Sequence, residues 1–431
     1  MKHFYQVLVN TLIANITTSF LWFALIFWIY LETKSVLATG VIGGMYMLLV
    51  AIFSIVFGTI VDHHKKKSVF VFSSTFTLVA FAAAGIMYMT LPTESLLSIT
   101  NPLFWLFIGV ILAGAVVENM RNIALSTTVT LLVDKDRRAN ANGLVGTVTG
   151  IGFIITSVFS GLAIGLLGMG WTLAIAIVLT AVALVHIYFV QIPEEGIAHD
   201  PELANKKVDI KGSIAAIKVV PGLFALLIFS TFNNLIGGVY MALMDPYGLT
   251  LFSVEMWGIL FGVAGIGFVV GGILVAKFGL GKNPLRTLLR LAIIMGLIGA
   301  LYTIREWPWL FALGIWLYMV MIPAMEAAEQ TVIQKVVPYK RQGRVFGFAQ
   351  AFESAAAPVT AFLIAPIAEF LIIPYANSEA GAAQLAPLLG TGEARGIALV
   401  FLVTGIIMAI AAALAFLTKS YYRLSASYAK S

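Results

Sequence analysis

Several ionisable side chains stand inside long apolar stretches of this sequence, and they are the first candidates for chemistry. A charge at the centre of a bilayer costs roughly 2.5–3.5 kcal/mol, so residues of this kind usually face a cavity or pair with a partner. Acids outnumber bases among them, which favours proton binding or ion pairing. The residues concerned are Glu118, Arg121, Glu326, Glu329, Glu353 and Glu369.

The spacing of these residues indicates which of them can act together. Glu118 and Arg121 stand three residues apart in GAVVENMRNIALSTTV, on one face of a helix, so they can form an ion pair. Glu326 and Glu329 repeat this spacing in a later apolar stretch. The Glu118–Arg121 pair has two interpretations, a place on a transport pathway or a helix-packing ion pair without a transport role.

An excess of acids in an apolar setting predicts proton binding. Five ionised carboxylates cannot persist beside one arginine in a medium of low dielectric constant, so we expect at least one carboxyl group to be protonated at neutral pH. A carboxyl group that gains and loses a proton as its cavity switches sides can couple protons to transport. We predict that Glu326, with Glu353 or Glu118, carries this proton and that Arg121 tunes it.

Two of the acids have simpler alternatives. Glu329 could be a loop-facing carboxylate that pairs with Lys335 or Arg344, and Glu369 is expected at the membrane interface. Uncharged polar residues are predicted to complete the substrate pathway, although each of them could instead bridge two helices. These residues are Asn119, Asn122, Asn233, Asn234 and Gln330.

The elements that must position these residues are membrane-spanning helices. The 431 residues are 60% hydrophobic and 11% charged, far from the roughly 45–50% apolar and 25% charged content of soluble domains. Runs of about 18 or more apolar residues indicate membrane-spanning helices, so we predict an all-α integral membrane protein with twelve of them. They lie near 6–30, 36–61, 68–89, 102–133, 140–166, 171–190, 222–244, 254–276, 286–304, 309–337, 345–373 and 395–417.

Basic residues fall mainly on one side of the membrane in this topology. That side, called here the basic side, receives 22 of the 26 lysine and arginine residues. Lysine and arginine concentrate in cytoplasmic loops, so we predict a plasma-membrane protein with both termini and the linker in the cytoplasm. The basic residues suit anionic lipid headgroups better than nucleic acid.

Several other classes of function find no support in the sequence. The chain has no cysteine, so disulfides and thiol chemistry are excluded. It carries no P-loop pattern, no catalytic triad and no cluster of metal-ligand spacing at a membrane edge. We therefore expect no cofactor, no metal and no enzyme activity.

The two halves of the chain contain matching loops. LVDKDRRANANG (132–143) and VVPYKRQGRVFG (336–347) occupy the same place in their halves, and GTIVDHHKKK (58–67) has a degraded counterpart in GILVAKFGLGK (272–282). We predict two six-helix bundles around a central cavity. The predicted parts are an N-terminal bundle (1–193), a linker with an amphipathic helix (194–221), a C-terminal bundle (222–418) and a tail (419–431).

The loop after the second span resembles the signature of the major facilitator superfamily. Gly58, Asp62 and the lysines that follow match its glycine, acid and basic run, but His63 stands where the family has arginine. The resemblance implies a conformational latch in which Asp62 pairs with cations. The alternative is a charge cluster at the membrane edge. The residues expected in the latch are Gly58, Asp62, Lys66, Arg137, Arg138 and Arg344.

Two further segments are similar to the macrolide and drug efflux branch of that superfamily. They are PGLFALLIFSTF (221–232) and GRVFGFAQAFESAAAP (343–358). The resemblance implies that spans one, four, seven and ten line the cavity, which places Glu118 and Arg121 on the pathway and Glu326 and Glu329 on the opposite wall. This branch often carries an arginine in span four, where this chain has Gly114. The proton-coupling role of that arginine is therefore not assigned to a residue of this chain by analogy.

The expected function is that of a monomeric secondary transporter that works by alternating access. It would export lipophilic or amphiphilic small molecules in exchange for protons. A symporter or facilitator of a small organic solute or a lipid-like molecule is the alternative within transport. A non-transporting receptor or a membrane enzyme is the alternative from another class.

Overall fold

The computed structural model describes residues 2–33, 36–194, 210–390 and 394–431, and these residues form helices without a β-strand. Most of the predicted linker, residues 195–209, lies outside the described residues. In the first part of the chain the helices are α1 (Lys2–Thr33), α2 (Val36–His63), α3 (Lys66–Thr90), α4 (Thr93–Leu97), α5 (Pro102–Glu118), α6 (Met120–Leu132), α7 (Arg138–Phe189) and α8 (Ile210–Val219).

The second part of the chain contains nine further helices within the described ranges. They are α9 (Leu223–Leu251), α10 (Val254–Phe278), α11 (Pro284–Leu301), α12 (Pro308–Val336), α13 (Gln342–Ile367), α14 (Ile373–Asn377), α15 (Glu379–Leu389), α16 (Arg395–Phe416) and α17 (Lys419–Lys430). Short 3₁₀ turns precede α7 and α13, and a π-helical turn joins α13 to α14.

Eleven helical segments in the described ranges are long and apolar enough to cross a membrane. One of them contains α7, whose 52 residues would extend about 78 Å at 1.5 Å per residue, more than twice the hydrocarbon thickness. Gly168 interrupts α7 with a φ of +77°, a value that glycine adopts without steric cost. The fifth and sixth spans are therefore the two arms of α7, and the predicted total of twelve spans is confirmed.

Some elements differ from the sequence expectations in detail. Span four is divided at Asn119, where α5 ends and α6 begins, although Asn119 itself has helical backbone angles. The predicted amphipathic helix of the linker is present as α8. The segment before the last span contains α14 and α15, and the tail after residue 418 forms α17. These last three helices were not predicted.

The chain forms two compact units. The first contains residues 1–135, 151–216 and 337–351, and the second contains residues 136–150, 217–336 and 352–431. Each unit thus includes a short segment from the other half of the sequence, namely the start of α7 or the start of α13. The domain boundaries predicted at the linker stay a prediction.

Each unit has an interior of its own. In the first unit, Trp28, Phe81 and Phe107 belong to a buried core drawn from α1, α3 and α5. In the second unit, Tyr302 stacks on both Phe311 and Phe401, with ring centroids 5.4 and 5.7 Å apart. Aromatic side chains thus fill the second interior.

Glycines bring helix backbones into contact at corresponding places in the two units. A Cβ atom on Gly58 would lie 2.4 Å from the carbonyl oxygen of Gly343, and one on Gly272 would lie 2.4 Å from the backbone nitrogen of Thr147. Small residues allow this close approach of helices. The matching loops of the two halves therefore form matching helix contacts.

Candidate functional site

The first candidate site is the ion pair of Glu118 and Arg121 in the first unit. Glu118 is the last residue of α5 and Arg121 the second residue of α6. Arg121 Nε lies 3.1 Å from Glu118 Oε1, and the two side chains are 0% and 4% exposed. The pair is buried, so its charges depend on protein partners rather than on water.

Two neighbouring helices supply those partners. Arg121 Nη1 donates to Ser74 Oγ over 2.8 Å and to the Phe70 carbonyl over 3.3 Å, both on α3. Arg121 Nη2 donates to Asn10 Oδ1 on α1, and the guanidinium carbon lies 4.9 Å from the centre of the Phe70 ring. The α1 and α3 partners thus solvate the guanidinium in place of water.

The carboxylate of Glu118 also receives a hydrogen bond from the protein in place of water. Thr77 Oγ1 on α3 donates to Glu118 Oε2 over 3.0 Å and also reaches the Gly114 carbonyl. Every partner of the ion pair named here belongs to the first unit. The packing interpretation of the pair accounts for these contacts, and its place on a transport pathway stays a prediction.

The amides next to the ion pair, Asn119 and Asn122, make hydrogen bonds of their own. Asn119 Nδ2 donates to the Tyr46 hydroxyl over 2.9 Å, and the Tyr46 ring stacks on Trp22 with centroids 4.5 Å apart. Asn122 Nδ2 reaches Asn119 Oδ1 at 3.5 Å. Both amides are half-buried. They link α6 to α2 and keep part of their surface accessible.

The second candidate site is an acidic cluster in the second unit, formed by Glu326, Glu329 and Glu353. Glu329 on α12 and Glu353 on α13 lie close enough for their carboxyl groups to influence each other, and Ser230 on α9 lies near Glu329. One oxygen atom of each, Oε1, is buried without a partner. Two adjacent carboxyl groups away from water resist ionising together, so this pair is suited to holding a proton.

The remaining members of the site surround this pair. Glu326 lies one turn before Glu329 on α12 and is exposed, whereas Glu329 and Glu353 are half-buried. Asn234 Nδ2 donates to the Ser230 carbonyl over 3.0 Å, and Asn233 and Gln330 are half-buried. The structure therefore brings the three acids together. The proton-carrying role predicted for Glu326 with Glu353 or Glu118 stays a prediction.

The proposed pairing of Glu329 with Lys335 or Arg344 is wrong. Lys335 Nζ lies 4.1 Å from the centre of the Tyr428 ring on α17, while Glu329 interacts with Glu353. Arg344 lies beside Asp62. Glu369, in the π-helical turn, is exposed.

The third candidate site is the junction between the end of α2 and the start of α13. Asp62 accepts hydrogen bonds from the backbone N–H groups of Gly343 over 2.6 Å and Arg344 over 2.9 Å. These N–H groups open α13, where a helix carries free donors and a partial positive charge. Arg344 Nε lies 3.8 Å from Asp62 Oδ2. Asp62 thus caps the first turn of α13.

Lys66 takes part in the junction through an acid that was not predicted. Its backbone N–H donates to Glu194 Oε2 over 2.7 Å, and its Nζ lies 3.6 Å from Glu194 Oε1. The Tyr339 hydroxyl donates to the same Oε1 over 3.0 Å. Glu194 therefore joins the end of the sixth span to the turns before α3 and α13.

The two other cations assigned to the latch have different surroundings. Arg137 is exposed. Arg138 is buried and donates to the Gln334 carbonyl over 2.8 Å, beside an Asn142–Gln334 hydrogen bond of 2.9 Å. The cations of the predicted latch whose charges act on Asp62 are Arg344, at 3.8 Å, and Lys66.

The family of the chain follows from comparison with known proteins. A family model described as Major Facilitator Superfamily matches residues 7–361, which is most of the chain. The chain belongs to the Major Facilitator Superfamily. It is therefore a multi-pass membrane protein of a transporter family.

Curated relatives and solved structures agree with this assignment. "Macrolide efflux protein A" of Streptococcus pyogenes is 22% identical over 84% of this chain and 88% of its own length. The protein of that name from Enterococcus faecalis is 22% identical over 72% of this chain and 94% of its own length.

Solved structures of two transporters have a similar fold. A bacterial homologue of the iron transporter ferroportin, in an outward-facing state, has a TM-score of 0.71 at 14% identity, covering 99% of this chain and 100% of its own. The proton:xylose symporter XylE has a TM-score of 0.66 at 13% identity, covering 97% of this chain and 96% of its own. At this identity the likeness shows the fold alone.

Two residues at these sites were not predicted from the sequence. His186, which contacts Asn10, and Glu194, which contacts Lys66, were not among the candidates. Both are distant in sequence from the residues they touch. One signal in the sequence pointed to further polar partners of Arg121. A buried guanidinium needs several hydrogen-bond acceptors, and Glu118 alone cannot supply them.

Proposed function

We propose that this Major Facilitator Superfamily transporter exports amphiphilic compounds of the macrolide class in exchange for protons, by alternating access. The macrolide class rests on the names of the curated relatives, which align with most of this chain. Proton exchange rests on the acidic cluster, whose Glu329 and Glu353 interact through their carboxyl groups inside apolar helices.

The acidic cluster is the proposed coupling site. With one proton shared, the Glu329–Glu353 pair carries one negative charge. Loss of that proton leaves two adjacent carboxylates whose repulsion favours either reprotonation or the approach of a cationic substrate. Most macrolides carry an amine, so substrate and proton can compete for the same charge. Glu326, exposed beside the pair, is the proposed entry point of the proton.

The half-buried amides are the proposed substrate contacts. Their accessible donors and acceptors suit a large, oxygen-rich solute, while the aromatic interior of each unit supplies apolar surface. These amides are Asn119, Asn122, Asn233, Asn234 and Gln330. Glu118 and Arg121 support this surface from within the first unit.

The proposed setting is the plasma membrane, with the basic side in the cytoplasm. Charge asymmetry supports this orientation, and anionic lipid headgroups are the proposed partners of the exposed basic residues. The protein is proposed to work as a monomer. The α2–α13 junction, built on Gly58, Asp62 and Arg344, is the proposed conformational latch, with Lys66 attached through Glu194.

Transport of radiolabelled erythromycin into acid-loaded proteoliposomes tests this proposal. We expect uptake driven by the outward proton gradient, measured above the passive accumulation of this weak base in protein-free liposomes. Glu329→Gln and Glu353→Gln should each lower gradient-driven uptake at least about tenfold, because a neutral amide cannot exchange a proton. Exchange of labelled for unlabelled erythromycin without a gradient should persist.

Glu369→Gln is the matched control, since Glu369 is an exposed acid later in the same helical segment; it should transport as the wild type does. Uptake in both cluster variants at the wild-type rate would reject the acidic cluster as the coupling site. Exchange without any response to the gradient in the wild type would indicate a facilitator.

A further inference from the structure

A hydrogen-bonded chain connects the buried Arg121 to a titratable side chain near the end of a span. Arg121 Nη2 donates to Asn10 Oδ1, and Asn10 Nδ2 lies 3.1 Å from His186 Nδ1 and 2.7 Å from the Ala183 carbonyl. Asn10 and Arg121 are both 0% exposed, whereas His186 is half-buried. His186 is therefore the member of this hydrogen-bonded chain that the surroundings can reach.

The donors and acceptors along the chain determine which nitrogen of His186 carries a proton. A guanidinium group only donates, so Asn10 must turn its oxygen toward Arg121 and its NH₂ group toward Ala183 and His186. That NH₂ group has no lone pair to offer, so Nδ1 of His186 has to accept. The observed arrangement requires neutral His186 with its proton on Nε2.

Protonation of His186 is incompatible with this arrangement. An imidazolium donates from both nitrogens and cannot accept from Asn10. The added positive charge would also stand one asparagine away from the guanidinium of Arg121. Both effects act against the Asn10–Arg121 contact, and Arg121 would then lose the acceptor that holds Nη2.

The positive charge of Lys67 acts in the same direction. Lys67 on α3 donates from Nζ to the carbonyl of Tyr188, two residues after His186, over 2.9 Å. His3 stands two turns before Asn10 on α1. Two acids of the first unit are engaged by other cations, because Glu118 pairs with Arg121 and Glu194 pairs with Lys66.

We infer that His186 is a proton sensor that positions Arg121 through Asn10: neutral His186 holds Arg121 against Glu118, and protonated His186 releases it. His186 lies three residues before the end of α7, so the sensor responds to pH on the basic side. It is separate from the acidic cluster, which belongs to the second unit, and it does not require that the protein transport macrolides.

The first test is nitrogen NMR of the purified protein in nanodiscs, with ¹⁵N in the histidine rings. The chain contains five histidines, and the signal lost in His186→Gln identifies His186. At pH 8 we expect an unprotonated Nδ1 and a protonated Nε2, and we expect Asn10→Ala to shift the Nδ1 signal. A protonated Nδ1, or an Nδ1 signal indifferent to Asn10→Ala, would overturn the inference.

The second test is the melting temperature of the same samples between pH 8 and pH 5.5. Stability that depends on neutral His186 is present at high pH and lost as the ring is protonated. We expect the wild type to lose about 2 °C more than His186→Gln over this range, because the glutamine oxygen accepts from Asn10 at every pH.

Substitutions in pairs show whether His186 acts through Asn10. In the Asn10→Ala background, His186→Gln should leave the pH profile unchanged. His64→Gln, at an exposed histidine, should keep the wild-type profile. An unaltered profile in His186→Gln, or an equal effect with and without Asn10, would reject the sensor. If His186→Gln does not fold, the response of the wild-type Nδ1 signal to Asn10→Ala decides the question.

Discussion

At the scale of single residues, the buried charges show how polar groups persist in an apolar interior. Glu118 and Arg121 neutralise each other, and the remaining donors of the guanidinium are directed to Asn10, Ser74 and the Phe70 carbonyl. Removing one member of a buried pair leaves the other charge without compensation, which costs about 3–5 kcal/mol. Replacing both members by residues of similar shape is often close to neutral.

This asymmetry gives a prediction for the pair. Glu118→Gln should lower the free energy of unfolding by about 3 kcal/mol, because Arg121 remains charged and buried. The double variant Glu118→Gln, Arg121→Met should recover most of that loss. Thermal unfolding monitored by tryptophan fluorescence measures both, with Glu94→Gln, at an exposed acid, as the control.

The double variant also separates packing from transport. If it is stable and exports macrolides at the wild-type rate, the pair serves helix packing alone. A single variant as stable as the wild type would contradict the burial argument.

At the scale of elements, the start of α13 is held by two different interactions. Gly58 allows the backbones of α2 and α13 to touch, and Asp62 accepts the N–H groups of Gly343 and Arg344. A carboxylate at a helix N-terminus contributes typically about 0.5–2 kcal/mol. The close contact makes that capping distance possible, so the geometry of the junction depends on the glycine.

The close contact at Gly58 predicts that a larger side chain there destabilises the protein. Gly58→Ala should destabilise the protein by about 1–3 kcal/mol, because its Cβ atom would lie 2.4 Å from the Gly343 carbonyl oxygen. Gly43→Ala is the matched control in the same helix, where a Cβ atom meets nothing within 4 Å. Alanine favours helix more than glycine does, so the control should be neutral or slightly stabilising. Equal melting temperatures for the two variants would contradict the contact.

At the scale of the whole molecule, charge distribution rather than any single residue sets the proposed orientation. Because 22 of the 26 basic residues lie on the basic side, reversal would place most of them on the side that cytoplasmic-loop statistics disfavour. Orientation in turn decides which face of the membrane a sensor at His186 reports on.

Cysteine labelling tests the orientation directly. The chain contains no cysteine, so each introduced thiol is the only one. Thr100→Cys, exposed before α5, should react with an impermeant maleimide in intact cells. Asp134→Cys, exposed after α6, should react only after the membrane is permeabilised. The reverse pattern would contradict the proposed orientation.

Features with a length or charge requirement could be predicted from sequence, and features that depend on packing could not. The spans are visible because about 20 apolar residues are needed to cross the hydrocarbon. Short helices such as α15 carry no such requirement. The spacing of Glu118 and Arg121 predicted their ion pair, but Asn10 and His186 are 176 residues apart, and only the packing of α1 against α7 makes them neighbours.

The same distinction applies to the cations predicted for the junction. Any of several lysines or arginines could complement Asp62 in a charge argument, and Arg137 and Arg138 were included for that reason. Selection among them depends on which backbone approaches Asp62. Arg344 lies there, together with Lys66, because the Gly58 contact brings the first turn of α13 to that carboxylate.

The glycine contact occurs in both units, but an acid accompanies it in only one. Where the first unit has Asp62 four residues after Gly58, the second has Ala276 four residues after Gly272, and Asn140 Nδ2 donates to the Ala276 carbonyl over 2.8 Å. A neutral amide contact is insensitive to protons and salt, whereas a carboxylate bond is not. The two copies of the internal repeat therefore differ chemically. Changes in pH or salt concentration affect the contact at Asp62 and leave the contact at Asn140 unchanged.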